Sequence, residues 1–584
     1  MERLSFKEVW CADFEFGADD GERPVVRCLV ATEVRTGRTI RQWLDRVPVP
    51  AAAPFNTGPD ALFVSFFASA EMGCFRVLDW LMPAHVLDLY AEFKWLSCGR
   101  DGFPGKPCLL YALDHFGLPS MDATDKTDMR NLALRGGPYT ADEQAAILDY
   151  CESDVVALVA LLSKMLPHVD MPRAILRGRF VKAVAEMEYN GIPIDVPILA
   201  RLDEHWESLQ LDMVRAVDAD YGVYDGIHFR TERFARWLAR RHIPWPRLIS
   251  GDLELTDEVF KEMVVSYPAL APLVQLRQMM DILRLADLPV GRDGRNRCLL
   301  SPFGTITGRC APSTSGFIFG RAAWMRSLIR PEEGQALAYI DWSSQEYGIG
   351  AVLSGDPEMI ADYERGDPYL GFAKRIGMVP QEGTKHTHRP ERDVVKQLIL
   401  GTQYGMGEQS LAVRFNKPVV YARDLLRLHR QTYRKFWEWS DAAVNLALFT
   451  GRLWTRFGWQ VWTKADPNPR SLANFPCQAN GAEMLRLAAV NVVNSGTMLN
   501  TTIHDALLIE APARDIDAAI AIAQDGMGRA SEAVLSGLRL HTDTKIVVAP
   551  NRYRDDRGAE FFDEMVRRLD ARTAARPRRT VIYW

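Results

Sequence analysis

Two aspartates that are far apart in the chain each follow a short apolar segment. Asp341 ends the segment ALAYID, and Asp505 follows Ile503 and His504 in TTIHDALLIE. A carboxylate at the end of a buried strand is costly unless it binds a cation or hydrogen-bond donors. Two such carboxylates can hold two Mg²⁺ ions about 4 Å apart, as nucleotidyl transfer requires. The pair predicts metal-dependent chemistry on phosphates, although each aspartate alone also fits a turn or a helix cap.

A spacing of four, repeated three times, marks a second set: Arg392, Lys396, Leu400 and Tyr404. On a helix of about 3.6 residues per turn, such a spacing drifts only about 40° per step, so the four side chains form one slanted stripe. The pattern predicts a helix with two cations on one face. Taken alone, it also fits a helix with two surface cations and two core residues.

A third set lies near the N-terminus. Asp13 and Glu15 are two residues apart on a predicted strand, so both carboxylates lie on one face and can coordinate one metal ion. Tyr150 and Asp154 are four residues apart on a predicted helix and share a face. A hydroxyl and three carboxylates favour metal-dependent hydrolysis. A lone DxE occurs often by chance, and only the combination is specific.

The elements that must position these residues follow from the pattern along the chain. Residues 9–17 alternate like a strand, and the proline-containing segment MLPHVDMP, residues 165–172, predicts a domain boundary. A helix-rich section then runs to about residue 300. Residues 336–340 predict a strand that ends at Asp341, and residues 501–510 predict two short strands with Asp505 at the turn.

Composition sets limits on the class of protein. A chain of 584 residues is longer than one hydrophobic core can organise, so we expect several domains. The net charge of −5 neither indicates nor excludes a nucleic-acid partner. The nine cysteines form no CxxC pair, which argues against a cysteine zinc site or a disulfide framework. With no apolar N-terminal segment or membrane-spanning stretch, we expect a soluble cytoplasmic protein without a membrane partner.

Taken together, these motifs resemble those of family A DNA polymerases, which are related to DNA polymerase I. Residues 341–356, DWSSQEYGIGAVLSGD, resemble motif A, and Ile503-His504-Asp505 resembles motif C. The stripe from Arg392 to Tyr404 lies between them, where the family has its fingers helix. Three further features extend the resemblance over most of the chain after the predicted boundary. They are Thr307-Gly308-Arg309, the distance from Arg326 to Asp341, and the segment EMEYNGIPID, residues 186–195.

The resemblance implies roles for individual residues. Asp341 and Asp505 would hold two Mg²⁺ ions, with Mn²⁺ as an alternative, and Lys396 would act with them in catalysis. Glu346 would exclude a ribose 2′-hydroxyl and so favour dNTPs. The expected nucleotide-binding residues are Arg392, Lys396, Leu400, Tyr404, Glu346, Gln345 and Tyr369. The expected contacts to primer-template DNA are Arg309, Arg470, Asn474, Gln478 and His504.

Several positions depart from the family pattern. Leu400 stands where the family has an aromatic residue, and Ala506 replaces the acidic residue that usually follows the motif C aspartate. Gly348 stands where an arginine is common, and Tyr369 is assigned to the place of a triphosphate-binding histidine. These departures concern sugar discrimination and triphosphate binding, and they leave the metal aspartates intact.

The N-terminal segment resembles DEDD 3′-5′ exonucleases of the tyrosine subtype, which precede the polymerase in family A enzymes. Glu71 in SAEMG is assigned to the place of the second-motif aspartate, because it lies 17 residues before Asp88, as in that family. A solvated helix residue is the alternative for Glu71. The resemblance implies that Asp13, Glu15, Glu71 and Asp154 hold two ions, while Tyr150 orients a water at a single-stranded DNA 3′ end.

We therefore expect an α/β multidomain fold. An RNase H-like exonuclease domain would occupy residues 1–170. The start of the polymerase region and the thumb would occupy residues 175–335. The palm and fingers, with a basic C-terminal tail, would occupy residues 336–584. The arginine-rich stretch 552–579 predicts a solvated helix, with contact to DNA or a partner as the alternative.

The expected function is a DNA-directed DNA polymerase with 3′-5′ proofreading. Its compact layout, with no 5′ nuclease expected before Asp13, resembles that of phage replicative enzymes. The main alternative is a 3′-5′ exonuclease whose polymerase-like half only binds DNA, and a non-enzymatic scaffold is a third. The sequence predicts no particular protein partner, and it leaves a preference for modified bases open.

Overall fold

The computed structural model describes residues 4–103, 107–119, 123–282 and 288–575. The chain forms two units. Unit 1 comprises Met1–Ile192, Arg297–Thr314 and Glu333–Val548. Unit 2 comprises Pro193–Asn296, Ser315–Glu332 and Ala549–Trp584. The C-terminal segment thus belongs with residues 193–296, whereas the sequence analysis had grouped it with the palm and fingers.

The N-terminal part of unit 1 is built on a five-stranded sheet of order β3-β2-β1-β4-β5, in which β1 pairs antiparallel with β2 and parallel with β4. The strands are β1 (Glu8–Gly17), β2 (Val25–Glu33), β3 (Thr39–Trp43), β4 (Ala61–Ser65) and β5 (His85–Asp88). The helices are α1 (Ala68–Val77), α2 (Leu89–Ser97), α3 (Leu109–His115), α4 (Ala123–Arg135), α5 (Ala141–Met165) and α6 (Met171–Asn190). A capping box at Thr140 and Glu143 starts α5, and a short 3₁₀ turn, Leu166–His168, follows it.

Strand β1 separates two apolar cores, because successive side chains of a strand point to opposite faces. Trp10, Ala12 and Phe14 belong to one core, and Val9 and Cys11 belong to the other. The second core also contains Ile147, Cys151 and Val155 of α5. Asp13 and Glu15 continue the odd-numbered series of β1, so the sheet directs both carboxylates toward α5.

Unit 2 is mainly helical. Its elements include α7 (Val196–Asp218), β7 (Tyr224–Asp225), β8 (His228–Phe229), α8 (Thr231–Arg240), α9 (Asp257–Ser266) and α10 (Ala271–Ile282), preceded at the boundary by β6 (Ile192–Pro193) and followed by β9 (Arg295–Asn296). Short 3₁₀ turns occur at Pro268–Leu270, Ile318–Gly320 and Ala323–Leu328. Asp195 caps α7 by accepting a hydrogen bond from the Ile198 N–H, and Trp206 stacks on Trp324.

The core of unit 1 continues into a four-stranded antiparallel sheet of order β15-β16-β12-β17. The strands from here on are β10 (Leu300–Ser301), β11 (Ala311–Pro312), β12 (Gln335–Trp342), β13 (Arg452–Trp454), β14 (Gln460–Trp462), β15 (Met498–Ile503), β16 (Ala506–Pro512) and β17 (Thr542–Val548). The strands expected at residues 336–340 and 501–510 correspond to β12, β15 and β16.

Nine helices between residues 345 and 534, all in the described part of the chain, surround this sheet. They are α11 (Gln345–Ser354), α12 (Pro357–Glu364), α13 (Pro368–Arg375), α14 (Arg389–Gln403), α15 (Glu408–Phe415), α16 (Val419–Thr432), α17 (Arg434–Thr450), α18 (Pro469–Asn494) and α19 (Ile516–Val534). Helix α14 carries Arg392, Lys396 and Leu400, and Tyr404 is its C-terminal cap rather than a helical residue. The helix stops there because Gly405 adopts a positive φ of 70°.

The C-terminal segment forms α20 (Ala559–Ala575) and belongs to unit 2 through ion pairs. The buried carboxylate of Asp195 accepts hydrogen bonds from Arg330 at 3.1 Å and Arg552 at 3.2 Å. Arg201 pairs with Asp570 at 2.7 Å.

Helix α20 differs from the solvated helix that we expected from its arginines. It buries Phe562, Met565 and Leu569, whose spacing of three and four places them on one face. Residues 576–579 of the arginine-rich stretch lie outside the described residues. None of the described helices is long and apolar enough to cross a lipid bilayer.

Candidate active sites

The register of the four-stranded sheet places Asp341 and Asp505 at one end of it. Asp341 lies opposite Ala506 of β16, and the tight turn His504-Asp505 joins β15 to β16 through the pair Ile503 and Ala506. His504 has a positive φ of 53°, as such turns require. The Trp342 N–H donates to the backbone oxygen of Asp505 at 3.4 Å, so the two aspartates are held side by side.

The electrostatics of this pair favour a bound cation. Burial, followed by the charges of Asp505 and Asp543, raises the pKa of Asp341 to about 6. Burial also raises the pKa of Asp505. Carboxylates crowded in a partly buried place repel one another, and a hard divalent cation with oxygen ligands relieves that repulsion. The donor set therefore fits Mg²⁺ or Mn²⁺.

A cavity of about 870 Å³ opens over the two aspartates. His504, Gln345, Leu400 and Tyr404 also line this cavity. Its cationic lining residues are Arg309, Arg365, Lys374, Lys385, Arg392 and Lys396. Arg365, Lys374 and Lys385 were missed by the sequence analysis, although the run of cations ahead of the stripe could have indicated them. A cavity with carboxylates at its floor and cations on its walls suits a polyphosphate with a divalent ion.

Arg392 and Lys396 meet Tyr369 in this cavity. The guanidinium of Arg392 lies 5.4 Å and the ammonium of Lys396 lies 5.9 Å from the centroid of the Tyr369 ring. Arg392 also pairs with Asp367 at 2.6 Å. The structure thus brings the first two residues of the predicted stripe together with Tyr369, and it adds Asp367 as a partner that the sequence analysis did not single out.

Glu346 lies in the first turn of α11 and is held from two sides. Its Oε1 accepts hydrogen bonds from Arg309 at 3.3 Å and from the Tyr404 hydroxyl at 3.2 Å. The neighbouring Gln345 is buried against α18, where a Cβ on Gly481 would come within 2.8 Å of the Gln345 Oε1. Glu346 is therefore fixed at the edge of the cavity between Arg309 and Tyr404, the residue that ends α14.

A second cavity, of about 510 Å³, lies beside the first and shares Glu346 as a lining residue. Arg470, Asn474 and Gln478 line it from one face of α18, as their spacing of four predicts. Arg326 does not join either cavity. It lies in unit 2 and pairs with Asp555 at 2.7 Å.

The N-terminal carboxylates form a second cluster. One ligand atom each of Asp13, Glu15 and Cys151 lies within 4.8 Å of the others. Glu71 of α1 is only 4% exposed and accepts a hydrogen bond from the Phe14 N–H, so it reaches the same strand. Its Oε2 is buried and has no hydrogen-bond partner among the described residues. A buried carboxylate oxygen without a hydrogen-bond partner fits a cation-binding site.

Asp154 lies near this cluster, but its carboxylate forms an ion pair with a lysine. The ammonium of Lys126 on α4 lies 2.7 Å and 2.8 Å from the two oxygens of Asp154. It also lies 5.7 Å from the centroid of the Tyr150 ring. Burial, then the charges of Asp154, Glu15 and Asp13, raises the pKa of the Tyr150 hydroxyl. The sequence analysis missed Lys126, since no motif in the sequence marks it.

Burial dominates the electrostatics of the cluster. It raises the pKa of Asp13 to about 8, with the charge of Asp154 adding to the effect. It raises the pKa of Glu15 to about 10, with Asp13 as the next cause. Burial and then the charges of Asp13 and Glu15 also raise the pKa of Glu71. The raised pKa values favour proton binding, and a divalent ion that binds these carboxylates would displace the protons.

Asp88, which the sequence analysis used to locate Glu71, has a structural role. It caps α2 by accepting a hydrogen bond from the Tyr90 N–H at 2.9 Å, and it also accepts one from the Phe67 N–H, just before α1, at 2.9 Å. Burial raises its pKa to about 7. Its position as a helix cap agrees with its exclusion from the expected ligand set.

Comparison with known proteins shows which part of the chain resembles a known family. Residues 281–551 match the family model of DNA polymerase family A. DNA polymerase I of Chloroflexus aurantiacus is 24% identical over 446 residues, which cover 70% of this chain and 46% of that protein. DNA polymerase I of Aquifex aeolicus is 23% identical over 459 residues, which cover 70% of this chain and 76% of that protein. The chain thus spans about half of the first relative and about three quarters of the second.

A solved structure extends the likeness of fold to nearly the whole chain. The POL domain of Pol1 from M. smegmatis, in complex with DNA primer-template and dNTP, superposes with a TM-score of 0.72 at 17% identity. The match covers 95% of this chain and 96% of that chain. The expected α/β fold with a polymerase region is confirmed at this level, and the separate exonuclease domain stays a prediction. The residues that match the family model of DNA polymerase family A include Asp341 and Asp505 on the sheet and Arg392 and Lys396 across the cavity.

Proposed function

We propose that the chain is a DNA-directed DNA polymerase that extends primer-template DNA with dNTPs. The observation that carries the proposal is one cavity in which Asp341 and Asp505 face Arg392 and Lys396. The match of residues 281–551 to the family model of DNA polymerase family A supports it. The M. smegmatis neighbour, whose fold this chain shares, holds DNA primer-template and dNTP.

Asp341 and Asp505 would hold divalent cations. When bound, such ions make a 3′-hydroxyl a better nucleophile and stabilise a leaving pyrophosphate. The residues of the chain perform the binding and positioning. Arg392 and Lys396 hold the triphosphate, and Lys396 is placed to neutralise charge on the departing group. Arg470, Asn474 and Gln478 line the neighbouring cavity on the side that we assign to the template strand.

Glu346 would select deoxyribose. Arg309 and Tyr404 fix its carboxylate at the cavity edge, so it cannot swing away from a bulkier sugar without losing two hydrogen bonds. A half-buried carboxylate that is held by two hydrogen bonds therefore acts as a steric and electrostatic barrier to a 2′-hydroxyl. This role follows from the same cavity as the polymerase proposal and depends on it.

We also propose that residues 1–170 form a 3′-5′ exonuclease that proofreads single-stranded 3′ ends. Three observations support the proposal: the ligand atoms of Asp13 and Glu15 lie within one 4.8 Å group, the Glu71 Oε2 has no described partner, and Tyr150 lies near Asp154. The oxygen-rich donor set fits Mg²⁺ or Mn²⁺. Bound ions would supply charge stabilisation for phosphodiester hydrolysis, and the Tyr150 hydroxyl would orient the attacking water.

Two variants test both proposals in one experiment. Asp505→Ala is expected to abolish primer extension with dNTPs and Mg²⁺, while digestion of a single-stranded oligonucleotide continues, because the two carboxylate sets are separate. Asp13→Ala is expected to do the reverse. Gel assays of extension and digestion measure both activities.

Asp517→Asn, an exposed aspartate on α19, serves as the matched control and should retain both activities. Digestion without extension by the parent protein would instead support an exonuclease whose polymerase domain only binds DNA. Loss of both activities in a folded Asp505→Ala protein would refute the two-site proposal.

A further inference from the structure

Asp341 has an acidic neighbour on its other side. In the register of β12 and β17, Asp341 lies directly opposite Asp543, whereas in the register of β12 and β16 it lies opposite Ala506. Residues directly opposite in an antiparallel pair present their side chains on the same face, with Cβ atoms about 4.5–5.5 Å apart. Asp543 is therefore on the face of the sheet that carries Asp341, and it lines the same cavity of about 870 Å³.

A hydroxyl orients the Asp543 carboxylate. Ser343 Oγ donates to Asp543 Oδ2 at 2.6 Å, and the Ser343 N–H donates to the backbone oxygen of His541 at 2.9 Å. These two bonds tie the end of β12 to the start of β17. An ionised carboxylate has about four lone-pair positions, so one hydrogen bond leaves capacity for a cation.

The charge balance favours a third carboxylate at this place. Asp341 and Asp505 supply two negative charges toward two divalent cations, and Ala506, next to Asp505, supplies none. A charge on the strand at the other side of Asp341 would compensate for that alanine. None of the six cationic residues that line the cavity lies on a strand of this sheet, whereas Asp341 and Asp543 do.

We propose that Asp543 is a third carboxylate of the divalent-cation site in the polymerase domain, supplying from β17 the charge that position 506 lacks. The inference rests on the proposed polymerase function. It assigns to Asp543 a direct part in holding the cation, and to Ser343 the positioning of that carboxylate.

The test measures cation binding without catalysis. The intact protein is mixed with a dideoxy-terminated primer-template and a matching dNTP, and free Mn²⁺ is followed by electron paramagnetic resonance. All variants carry Asp13→Ala, so that the N-terminal carboxylates contribute equally throughout. Asp543→Asn is expected to weaken Mn²⁺ binding by roughly 10-fold, in line with the loss of a group that supports a metal site. Ser343→Ala is expected to weaken it less.

Asp517→Asn in the same background is the matched control for removing one exposed acidic charge, and it should leave Mn²⁺ binding unchanged. Equal Mn²⁺ affinity in the Asp543→Asn protein and its parent would overturn the inference, as would an equal loss in Asp517→Asn. Thermal unfolding in EDTA checks the fold, and Asp543→Ser, which is smaller and also neutral, replaces the asparagine variant if that protein unfolds.

Primer extension separates failure of this inference from failure of the proposed function. If the parent does not extend a primer at any Mg²⁺ concentration, the proposed function fails. If the parent extends, the Mg²⁺ concentration for half-maximal extension should rise in Asp543→Asn while the KM for dNTP stays the same. A changed KM for dNTP with an unchanged Mg²⁺ requirement would contradict the assignment.

Discussion

At the scale of residues, both sites consist of carboxylates whose charge the protein does not fully neutralise. The charges of Asp505 and Asp543 add to the burial that raises the pKa of Asp341, and burial with the charge of Asp154 raises the pKa of Asp13. Lys126 is the exception, because its ammonium neutralises Asp154 through both oxygens. A divalent ion on Asp154 must therefore displace the lysine or share the carboxylate with it.

Replacing Lys126 with methionine is expected to lower the Mg²⁺ concentration for half-maximal digestion by about 10-fold. The physical reason is competition, since a charge-assisted hydrogen bond contributes about 1.5–3 kcal/mol that the incoming ion no longer has to replace. Digestion of a single-stranded oligonucleotide over a Mg²⁺ series measures the change. Lys164→Met, an exposed lysine on α5, is the control. Loss of digestion at saturating Mg²⁺ would show that Lys126 assists the reaction instead.

At the scale of elements, a helix end restrains one of the residues that we propose bind the nucleotide. Asp367 caps α13 by accepting a hydrogen bond from the Leu370 N–H at 3.1 Å, and it pairs with Arg392 of α14 through its other oxygen at 2.6 Å. One aspartate thus starts one helix and restrains a cation on the next. An incoming triphosphate must compete with Asp367 for Arg392.

Asp367→Asn separates these two roles, because asparagine also caps helices but carries no charge. We expect the KM for dNTP to fall by about 2- to 5-fold, the range expected for a partly exposed ion pair of up to about 1 kcal/mol. Steady-state single-nucleotide insertion measures the KM. Asp367→Ala removes the cap as well and should also lower the melting temperature. An unchanged or higher KM in a stable Asp367→Asn protein would contradict this role for the ion pair.

At the scale of the whole molecule, unit 1 joins its two halves through direct contacts. The Trp95 indole N–H donates to the Gly458 oxygen at 2.6 Å, and the Trp462 N–H donates to the Cys98 oxygen at 2.8 Å. Within the segment Met1–Ile192, the buried Arg177 pairs with Glu92 through two bonds of 2.6 Å. Because both carboxylate clusters belong to this unit, binding at either one stabilises the unit that carries the other.

The stability of the metal-free protein is expected to fall with rising pH. Asp13 has its pKa raised from 3.8 to about 8 in the fold, so between these values the folded state binds more protons than the unfolded chain. Under that condition the free energy of unfolding decreases as pH increases. Scanning calorimetry in EDTA from pH 5 to pH 9 should show this decrease, and Mg²⁺ should reverse most of it at the alkaline end.

Asp13→Asn should lose part of this pH dependence, because its side chain cannot ionise. The comparison of parent and variant isolates the contribution of the cluster from that of other titrating groups. A melting temperature that depends equally on pH in both proteins would mean that Asp13 ionises in the folded protein without the expected cost.

The sequence alone predicted the residues that we propose carry the chemistry and the faces on which they lie. The period of two in β1 directed Asp13 and Glu15 to one side, and the spacing of four placed Arg392 and Lys396 on one face of α14. These features depend on local geometry, which a short segment specifies. The 17-residue spacing to Asp88 located Glu71, which the fold brings to the carboxylate cluster.

Only the tertiary structure decided which other residues join them. Asp543 faces Asp341 because of the register between β12 and β17, whose residues are far apart in the chain. Lys126 reaches Asp154 because α4 packs beside α5, and the C-terminal segment belongs to unit 2 because Asp195 attracts Arg552. Such pairings depend on how distant segments share one core and satisfy buried charges, and no local pattern in the sequence records that outcome.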